Sequence, residues 1–430
     1  MKSYSRLVTR ILVSSALLFC PLVSRSQTDT PDPKPAALNS RIEELQRELD
    51  DLRSQLSALK EAPAHSAASG SSAGASLASN SSSTSIASLL GPTTLSGFVD
   101  MYYGYNANQP VSRSSGFRSF DALSNQFALN LVELVVDKTP EVTNSRTGYH
   151  IALGYGQAIN AVNGSDPGGL GFDQYLKEAY FSYLAPVGKG LQVDFGKFVT
   201  PAGAEVIETK DNWNYSRGLL FSYAIPYYHF GMRAKYAFND KYSLTGYVTN
   251  GWNNVVENNT GKTYGMSLGW NPTKKLNIAE NYMAGPEQGV NSNWRQLWDT
   301  VVTYSATSKL TLMANTDYGR GDRIAGVADP VFWTGVAGYV KYAPTEKYAF
   351  ATRYEYYNDH DGFTTGTQQH FNGITGTFQR MVASHILTRL EFRRDTSNQP
   401  TFMKGNNVPV KGQNTATAGL VFMFDSREAK

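Results

Sequence analysis

The strongest constraint in this sequence is a repeating alternation of apolar and polar residues through residues 93–425. It divides into about 16 segments of strand length, and the connections between them are long and short in strict turn. A transmembrane β-barrel has this pattern, because its backbone groups pair within a closed sheet that turns tightly at one end. The sequence therefore predicts an all-β fold, a transmembrane antiparallel β-barrel of about 16 strands.

The alternation is clearest in the third and eighth segments, where aliphatic residues occupy the centre and aromatic residues the ends. This arrangement suits a hydrocarbon core between two interfaces. The second segment has apolar residues on both faces, so its lipid-facing side stays open. The predicted strands span residues 93–106, 126–138, 148–158, 175–184, 191–198, 229–238, 242–251, 263–271, 275–284, 295–305, 309–319, 331–343, 347–358, 371–382, 384–395 and 414–425.

The composition is compatible with a barrel. Hydrophobic residues make up 41% of the chain and the mean hydropathy is −0.36, values that a barrel allows because only every second residue of a strand faces lipid. The chain also has 26 Tyr and 21 Phe but only 17% charged residues. Aromatic girdles at two membrane interfaces would use such a composition.

The first 26 residues have the parts of an export signal. Lys2, Arg6 and Arg10 precede an apolar stretch at 11–23, and the small residues of Ser24-Arg25-Ser26 offer a cleavage site. Roughly 13 apolar residues are too few for a transmembrane helix, which needs about 20. We therefore predict a cleavable signal peptide at 1–26 and export to the outer membrane.

Removal of this signal changes the chemistry expected of the mature chain. It takes away four cations and no acid, so the formal charge falls from +3 to −1 and the basis for a nucleic-acid partner disappears. It also removes Cys20, the single cysteine. A lipid anchor on Cys20 is disfavoured by the bulky Phe19 before it, and the mature chain then has no thiol chemistry.

A heptad repeat and a low-complexity stretch separate the signal from the barrel. Residues 38–61 predict a periplasmic coiled coil, through which the chain would form a homo-oligomer, with a trimer among the options. A single amphipathic helix lying on another surface is the alternative. Residues 62–90 are rich in Ser, Ala and Gly, which predicts a flexible linker to the barrel domain at 93–425. The heptad seam consists of Leu38, Ile42, Leu45, Leu49, Leu52, Leu56 and Leu59.

Charged residues at inward-facing positions of the predicted strands are candidates for a pore wall. Acids and bases nearly balance, which predicts weak ion selectivity, or a transverse field if acidic and basic walls face each other. The alternative is that several of them pair across strands and only stabilise the sheet. The acids are Asp100, Glu178, Asp194, Asp317, Glu355 and Glu391, and the bases are Arg233, Lys235, Arg353, Arg389 and Arg393.

The sequence has no convincing catalytic pattern. The six His are scattered without metal-ligand spacing, and no Ser lies in a nucleophile-elbow motif. The acidic segment 358–362 resembles half of a calcium loop but lacks the later Glu that would complete it. We predict no metal, no cofactor and no enzymatic activity.

The barrel region contains several short motifs: Gly196-Lys197-Phe198-x-Thr200-Pro201-x-Gly203-x-Glu205, Asn214-Tyr215-Ser216-Arg217, Pro226 and Gly231, Arg353-x-Glu355, and Arg389-x-Glu391-x-Arg393-x-Asp395. With these motifs, the region resembles the OmpL-like β-barrel porins of Gram-negative bacteria. The resemblance covers roughly residues 93–425 and implies an outer-membrane barrel that forms a pore, without identifying a solute. Here Phe422 and Phe424 are followed by six further residues, whereas many such proteins end on the aromatic residue.

The third long connection, residues 199–228, is the longest and combines charged with aromatic residues. In general porins the third loop folds into the barrel and narrows it, and by analogy we predict the same here. The alternative is a loop that packs only over the mouth. The candidates for the constriction are Glu205, Glu208, Lys210, Asp211 and Arg217.

These patterns favour passive diffusion of small hydrophilic solutes through a water-filled barrel in outer-membrane lipid. About 16 strands give a barrel wide enough for an aqueous channel. A structural or adhesive barrel, tied to the envelope through its periplasmic coiled coil, is the alternative. An outer-membrane hydrolase ranks third, because no catalytic constellation is present.

Overall fold

The computed structural model describes residues 91–289, 292–323 and 329–428. The predicted signal peptide at 1–26, coiled coil at 38–61 and linker at 62–90 lie outside the described residues. None of the described helices is long and apolar enough to cross a membrane.

Sixteen antiparallel strands form a closed barrel, which confirms the predicted fold class. Each strand pairs with its neighbour in sequence, β15 pairs with β18, and the barrel closes between β18 and β1. Two further strands, β16 and β17, form a separate hairpin. The strands are β1 Thr94–Asn106, β2 Gln126–Lys138, β3 Thr147–Tyr155, β4 Leu176–Ala185, β5 Leu191–Val199, β6 Tyr228–Ala237, β7 Tyr242–Thr249, β8 Thr263–Thr273, β9 Leu276–Pro286, β10 Trp294–Ser305, β11 Leu310–Gly321, β12 Val331–Thr345, β13 Tyr348–Asp359, β14 Gln369–Ala383, β15 Ile386–Ser397, β16 Phe402–Lys404, β17 Val408–Val410 and β18 Gly412–Asp425.

The long connections contain short elements that the alternation could not reveal. The second one holds helices α1 (Gln157–Asn163) and α2 (Leu170–Asp173), and the last one holds β16 and β17. The third connection contains a 3₁₀ turn at Thr209–Asp211 and a π-helical turn at Leu220–Ala224. A further 3₁₀ turn, Ser426–Glu428, follows β18. Elements of three to seven residues are too short to establish a period in the sequence.

A β-bulge explains why β2 has apolar residues on both apparent faces. In the pairing of β1 with β2, Asp100 lies opposite Leu131 and the next residue, Met101, lies opposite Leu129. One extra residue therefore shifts the phase of β2. Phe127 and Leu129 are exposed on the outer face before the bulge, as is Leu134 after it, whereas Leu131 is fully buried.

The hydrophobic core lies inside the barrel. It consists of inward-facing residues of the wall packed against apolar residues of the third long connection. Leu220, Phe221 and Ile225 of that connection belong to the same buried cluster as Met283 and Trp333 of the strands. The interior is therefore filled partly by chain and not only by side chains of the wall.

Candidate functional site

The third long connection runs from residue 200 to residue 227 between β5 and β6, and we call it the third loop. Near its start, the N–H of Gly203 donates to Asp299 of β10 at 3.0 Å. Further along, the N–H of Tyr215 donates to Glu391 of β15 at 2.6 Å, and the Tyr215 hydroxyl donates to Asp100 of β1 at 2.9 Å. Because β10 and β1 are far apart around the barrel, the loop crosses the interior.

A buried ion cluster holds the loop to β13. Arg353 is 1% exposed, and its Nη1 donates to Oε1 of Glu205 at 2.5 Å and to the carbonyl of Ser216 at 2.7 Å. Its Nε lies 3.3 Å from Oε1 of Glu355, whose Oε2 accepts the N–H of Leu219 at 2.6 Å. Burial raises the pKa of the Glu205 carboxyl, and Arg353 opposes that rise.

Two inward-facing arginines of β15 bind backbone carbonyls of the same loop. Arg389 donates to the carbonyls of Thr209 and Asn212, and Nη1 of Arg393 donates to the carbonyl of Arg217 at 2.6 Å. Hydrogen bonds from a charged donor are roughly twice as strong as neutral ones. Arg353, Arg389 and Arg393 therefore fix the path of the loop, and they are not free to attract solutes.

Arg217 and Glu208 are also held by neighbouring groups. Arg217 is 2% exposed, donates to the carbonyls of Tyr215 and Ile207, and stacks over Phe120 of the first long connection at 4.9 Å. Glu208 forms an ion pair with Lys177 of β4. These two constriction candidates therefore join the loop to other parts of the protein.

Nine of the eleven pore-wall candidates are at most 7% exposed, namely all but Arg233 and Lys235. They contact protein groups and not water, so their charges do not line a wide aqueous space. Asp100, for example, accepts hydrogen bonds from Asn130, Thr209 and Tyr215. Glu178 accepts the N–H of Val199 and lies 3.5 Å from the ring of His150.

Water reaches the candidates that lie away from the loop's anchors. Nζ of Lys235 is 3.5 Å from Asp194, and its side chain is 40% exposed. Arg233 binds the same carboxylate at 2.7 Å and stacks over the rings of Tyr180 and Phe198. On the loop itself, the ion pair of Lys210 with Asp211 is exposed. The hydrated charges are thus few, and the four most exposed candidates are two cations, Lys210 and Lys235, and two acids, Glu208 and Asp211.

Asp317 is the least compensated of the wall residues. It is 4% exposed and lies directly opposite Asp299 in the pairing of β10 with β11. Neither of its carboxylate oxygens accepts a hydrogen bond from an N–H or hydroxyl donor, and the side-chain group that it contacts is the carboxylate of Asp299. Asp299, in contrast, accepts hydrogen bonds from Gly203, Asn281 and Asn315. Protein donors therefore stabilise the carboxylate of Asp299 and not that of Asp317.

Sequence reasoning missed several residues that anchor the loop. Asp299 and Asn315 lie at inward positions of regular strands, so the alternation could have identified them. Lys177 and Glu133 form an ion pair at 2.9 Å. Lys177 is the extra residue of a β-bulge in β4, and Glu133 follows the β-bulge in β2. There the bulge changes the phase, and a strict period of two assigns the wrong face.

The acidic segment 358–362 stabilises the connection between β13 and β14. Asp359 accepts the backbone N–H groups of Phe363, Thr364 and Thr365 at 2.7–2.9 Å. Within the described residues, no group of three or more His, Cys, Asp or Glu side chains is arranged to hold a metal ion. The geometry therefore gives this segment a role in loop structure.

Comparison with protein families matches residues 92–424 to the model described as "Putative beta-barrel porin-2, OmpL-like". The chain belongs to this family. The match spans every strand of the barrel, and it confirms the resemblance found in the short motifs. Porins are channels and not enzymes, and the family places the barrel in the outer membrane. No curated protein matches the sequence.

Solved structures of outer-membrane proteins share the fold at low identity. An anion-selective porin from Comamonas acidovorans is 10% identical, with 77% of this chain and 99% of that chain covered and a TM-score of 0.53. The outer-membrane expressed OmpT of Vibrio cholerae is 10% identical, with coverages of 77% and 97% and a TM-score of 0.51. Its in-vitro folded trimer form is 12% identical, with coverages of 77% and 99% and a TM-score of 0.51.

Proposed function

We propose that this porin-family barrel allows passive diffusion of small hydrophilic solutes, and that its third loop narrows the passage. The observation that carries the proposal is the path of the loop inside a closed barrel of sixteen strands. A barrel of this size leaves an aqueous lumen when nothing fills it. The space that the loop leaves beside the wall therefore sets the size limit for solutes.

The contacts of the loop favour a fixed constriction and not a loosely attached flap. Glu205 and Glu355 bind Arg353 on one wall, and Glu391 and Arg389 bind the loop on a neighbouring wall. Removing one partner from a buried charged pair costs several kcal/mol, because the other charge is left without compensation. Thermal motion alone does not break such contacts readily.

The orientation and assembly of the protein form part of the same proposal. The chain is exported through a signal peptide at 1–26, and the end of the barrel with short turns faces the periplasm. Self-association through the coiled coil at 38–61 then produces a homo-oligomer. The trimer form of one outer-membrane protein of similar fold supports an oligomer of this kind.

A second candidate function is a structural or adhesive barrel tied to the envelope through its coiled coil. The close packing of the interior favours it, because nine of eleven candidate wall charges are shielded from water. A barrel filled to this degree could serve as an anchor without conducting. This candidate predicts a loss of envelope integrity when residues 27–90 are removed, with solute uptake unchanged.

Conductance across planar lipid bilayers separates the two candidates. Folded protein should insert and raise the current in discrete steps if it is a diffusion channel. Heat-modifiable migration on a gel provides the control that the barrel is folded in the same sample. A folded barrel that inserts and leaves the membrane sealed would rule out the diffusion channel and favour the anchor.

A further inference from the structure

Five consecutive short turns of the barrel carry exposed lysines. The turns join β4 to β5, β6 to β7, β8 to β9, β10 to β11 and β12 to β13, so they follow one another around a continuous arc of the rim. We call this arc the lysine rim. Its members are Lys189, Lys241, Lys274, Lys275, Lys309 and Lys347.

The lysine rim has an excess of positive charge. The same five turns contain two acids, Asp240 and Glu346, which leaves a net charge of +4. In the part of the chain that the structure describes, no ion pair involves any of the six lysines. Nζ of Lys275 donates to the carbonyl oxygen of Ala306 at 3.5 Å, a contact that leaves its charge uncompensated. The six ammonium groups are therefore available to a negatively charged partner.

The other turns at this end of the barrel are nearly neutral. The connection from β2 to β3 contains both Glu141 and Arg146, and the turn from β14 to β15 contains His385. After β18, Arg427 is paired with Asp425. The positive charge is thus concentrated on one side of the rim.

Aromatic residues place the lysine rim at the level of lipid headgroups. Each lysine-bearing turn adjoins a strand that ends in an exposed, outward-facing aromatic residue. Tyr242 and Trp270, on neighbouring strands, have parallel rings with centroids 6.3 Å apart. Such residues concentrate at membrane–water interfaces, where one end of the side chain is apolar and the other polar. These aromatics are Tyr183, Tyr242, Trp270, Tyr304 and Tyr348.

We propose that the lysine rim binds the phosphate groups of anionic phospholipids in the leaflet around the short-turn end. The proposal rests on the membrane insertion and orientation given under the proposed function. Lysine stems can lie along the apolar surface while the ammonium groups reach the phosphates. A soluble acidic partner fits less well, because the lysines adjoin lipid-facing aromatics and lie on turns too short to project far from the membrane.

The test measures which lipids stay bound to the protein. Full-length protein is incorporated into nanodiscs made from equal amounts of phosphatidylglycerol and phosphatidylcholine, released in mild detergent, and analysed by native mass spectrometry. Phosphatidylglycerol should be enriched several-fold among the retained lipids. Each lysine at the phosphate level should account for about a fivefold preference at low salt, and the preference should weaken as salt increases.

Two double variants locate the binding. Lys274→Gln with Lys275→Gln removes two adjacent lysines of the rim and should abolish most of the several-fold enrichment, because each lysine contributes up to about fivefold. Lys404→Gln with Lys411→Gln removes the same charge from exposed positions at the long-loop end, and should leave the enrichment unchanged. Bilayer conductance of the same samples reports on the channel separately.

Equal retention of both lipids, or equal loss in both double variants, would overturn the proposal even if the barrel conducts normally. Stronger binding of soluble polyglutamate in neutral nanodiscs than of phosphatidylglycerol would also overturn it, in favour of a soluble acidic partner. If phosphatidylglycerol is enriched but the inserted barrel carries no current, the lipid site is supported and the diffusion channel is contradicted.

Discussion

Replacing Arg353 by Met tests whether the third loop depends on the buried ion cluster. Met keeps much of the side-chain volume but removes the charge and the donors. Glu205 then loses its ion pair and keeps the N–H of Gly218, whereas Glu355 keeps Arg393 at 3.0 Å. Breaking a buried pair in this way costs about 3–5 kcal/mol.

Two measurements report on the Arg353→Met variant. Urea unfolding followed by tryptophan fluorescence should show a free energy of unfolding lower by about 3–5 kcal/mol. Single-channel recordings should show larger or more variable conductance, because the loop has lost an anchor. Adding Glu205→Gln to the variant should restore part of the stability, since the uncompensated charge is gone.

The control is Arg320→Met, which removes an arginine from an exposed pair with Asp322. Exposed ion pairs contribute little, so neither stability nor conductance should change measurably. If Arg353→Met behaves like this control in both assays, the cluster does not hold the loop, and the reasoning is refuted.

Three other predictions follow from single buried groups. Asp317→Asn should raise the free energy of unfolding by about 1–3 kcal/mol at pH 8, because it removes a buried carboxylate that has no hydrogen-bond donor. Asp194→Asn should lower the free energy of unfolding, because it weakens a carboxylate that is paired with basic residues. Urea unfolding of both variants tests this difference. Burial raises the pKa of Glu287 from its ordinary 4.5 to about 7. Between these two pKa values the folded barrel holds a proton that the unfolded chain releases, so the free energy of unfolding should fall by roughly 3 kcal/mol as the pH rises from 4.5 to 7. If a Glu287→Gln variant loses stability with pH as steeply as the unsubstituted protein, Glu287 is not the cause. In Gly319→Ala, the new Cβ would lie 1.8 Å from the buried ring of Trp333, so thermal stability should drop, whereas Gly338→Ala, with nothing within 4 Å, should keep it.

The barrel could be predicted from the sequence because the alternation of apolar and polar residues is local and is repeated in most strands. Alternation fixes which side of a strand faces lipid, and the alternating lengths of the connections fix how the strands follow one another. The same periodicity placed Arg353, Glu355, Arg389 and Glu391 on the inner face, where the structure has them. It failed at Asn130, where a bulge changes the phase within a single strand.

The contacts of the third loop could not be predicted in the same way. Residues 203–219 have no period, and their partners lie on strands that are distant in sequence. The composition of the loop suggested an inward path, but the pairing of Glu205 with Arg353 depends on how the whole chain crosses the barrel. For the same reason, the count of inward charges did not reveal that most of them are shielded from water.

The most direct test of the central claim is the single-channel conductance of a variant that lacks residues 205–217. Its control is a variant without residues 405–407, which form the tip of the hairpin between β16 and β17. If the third loop narrows the passage, the first deletion should raise the conductance severalfold and admit larger solutes, while the second should change neither. A folded 205–217 deletion with the conductance of the full-length protein would contradict the claim.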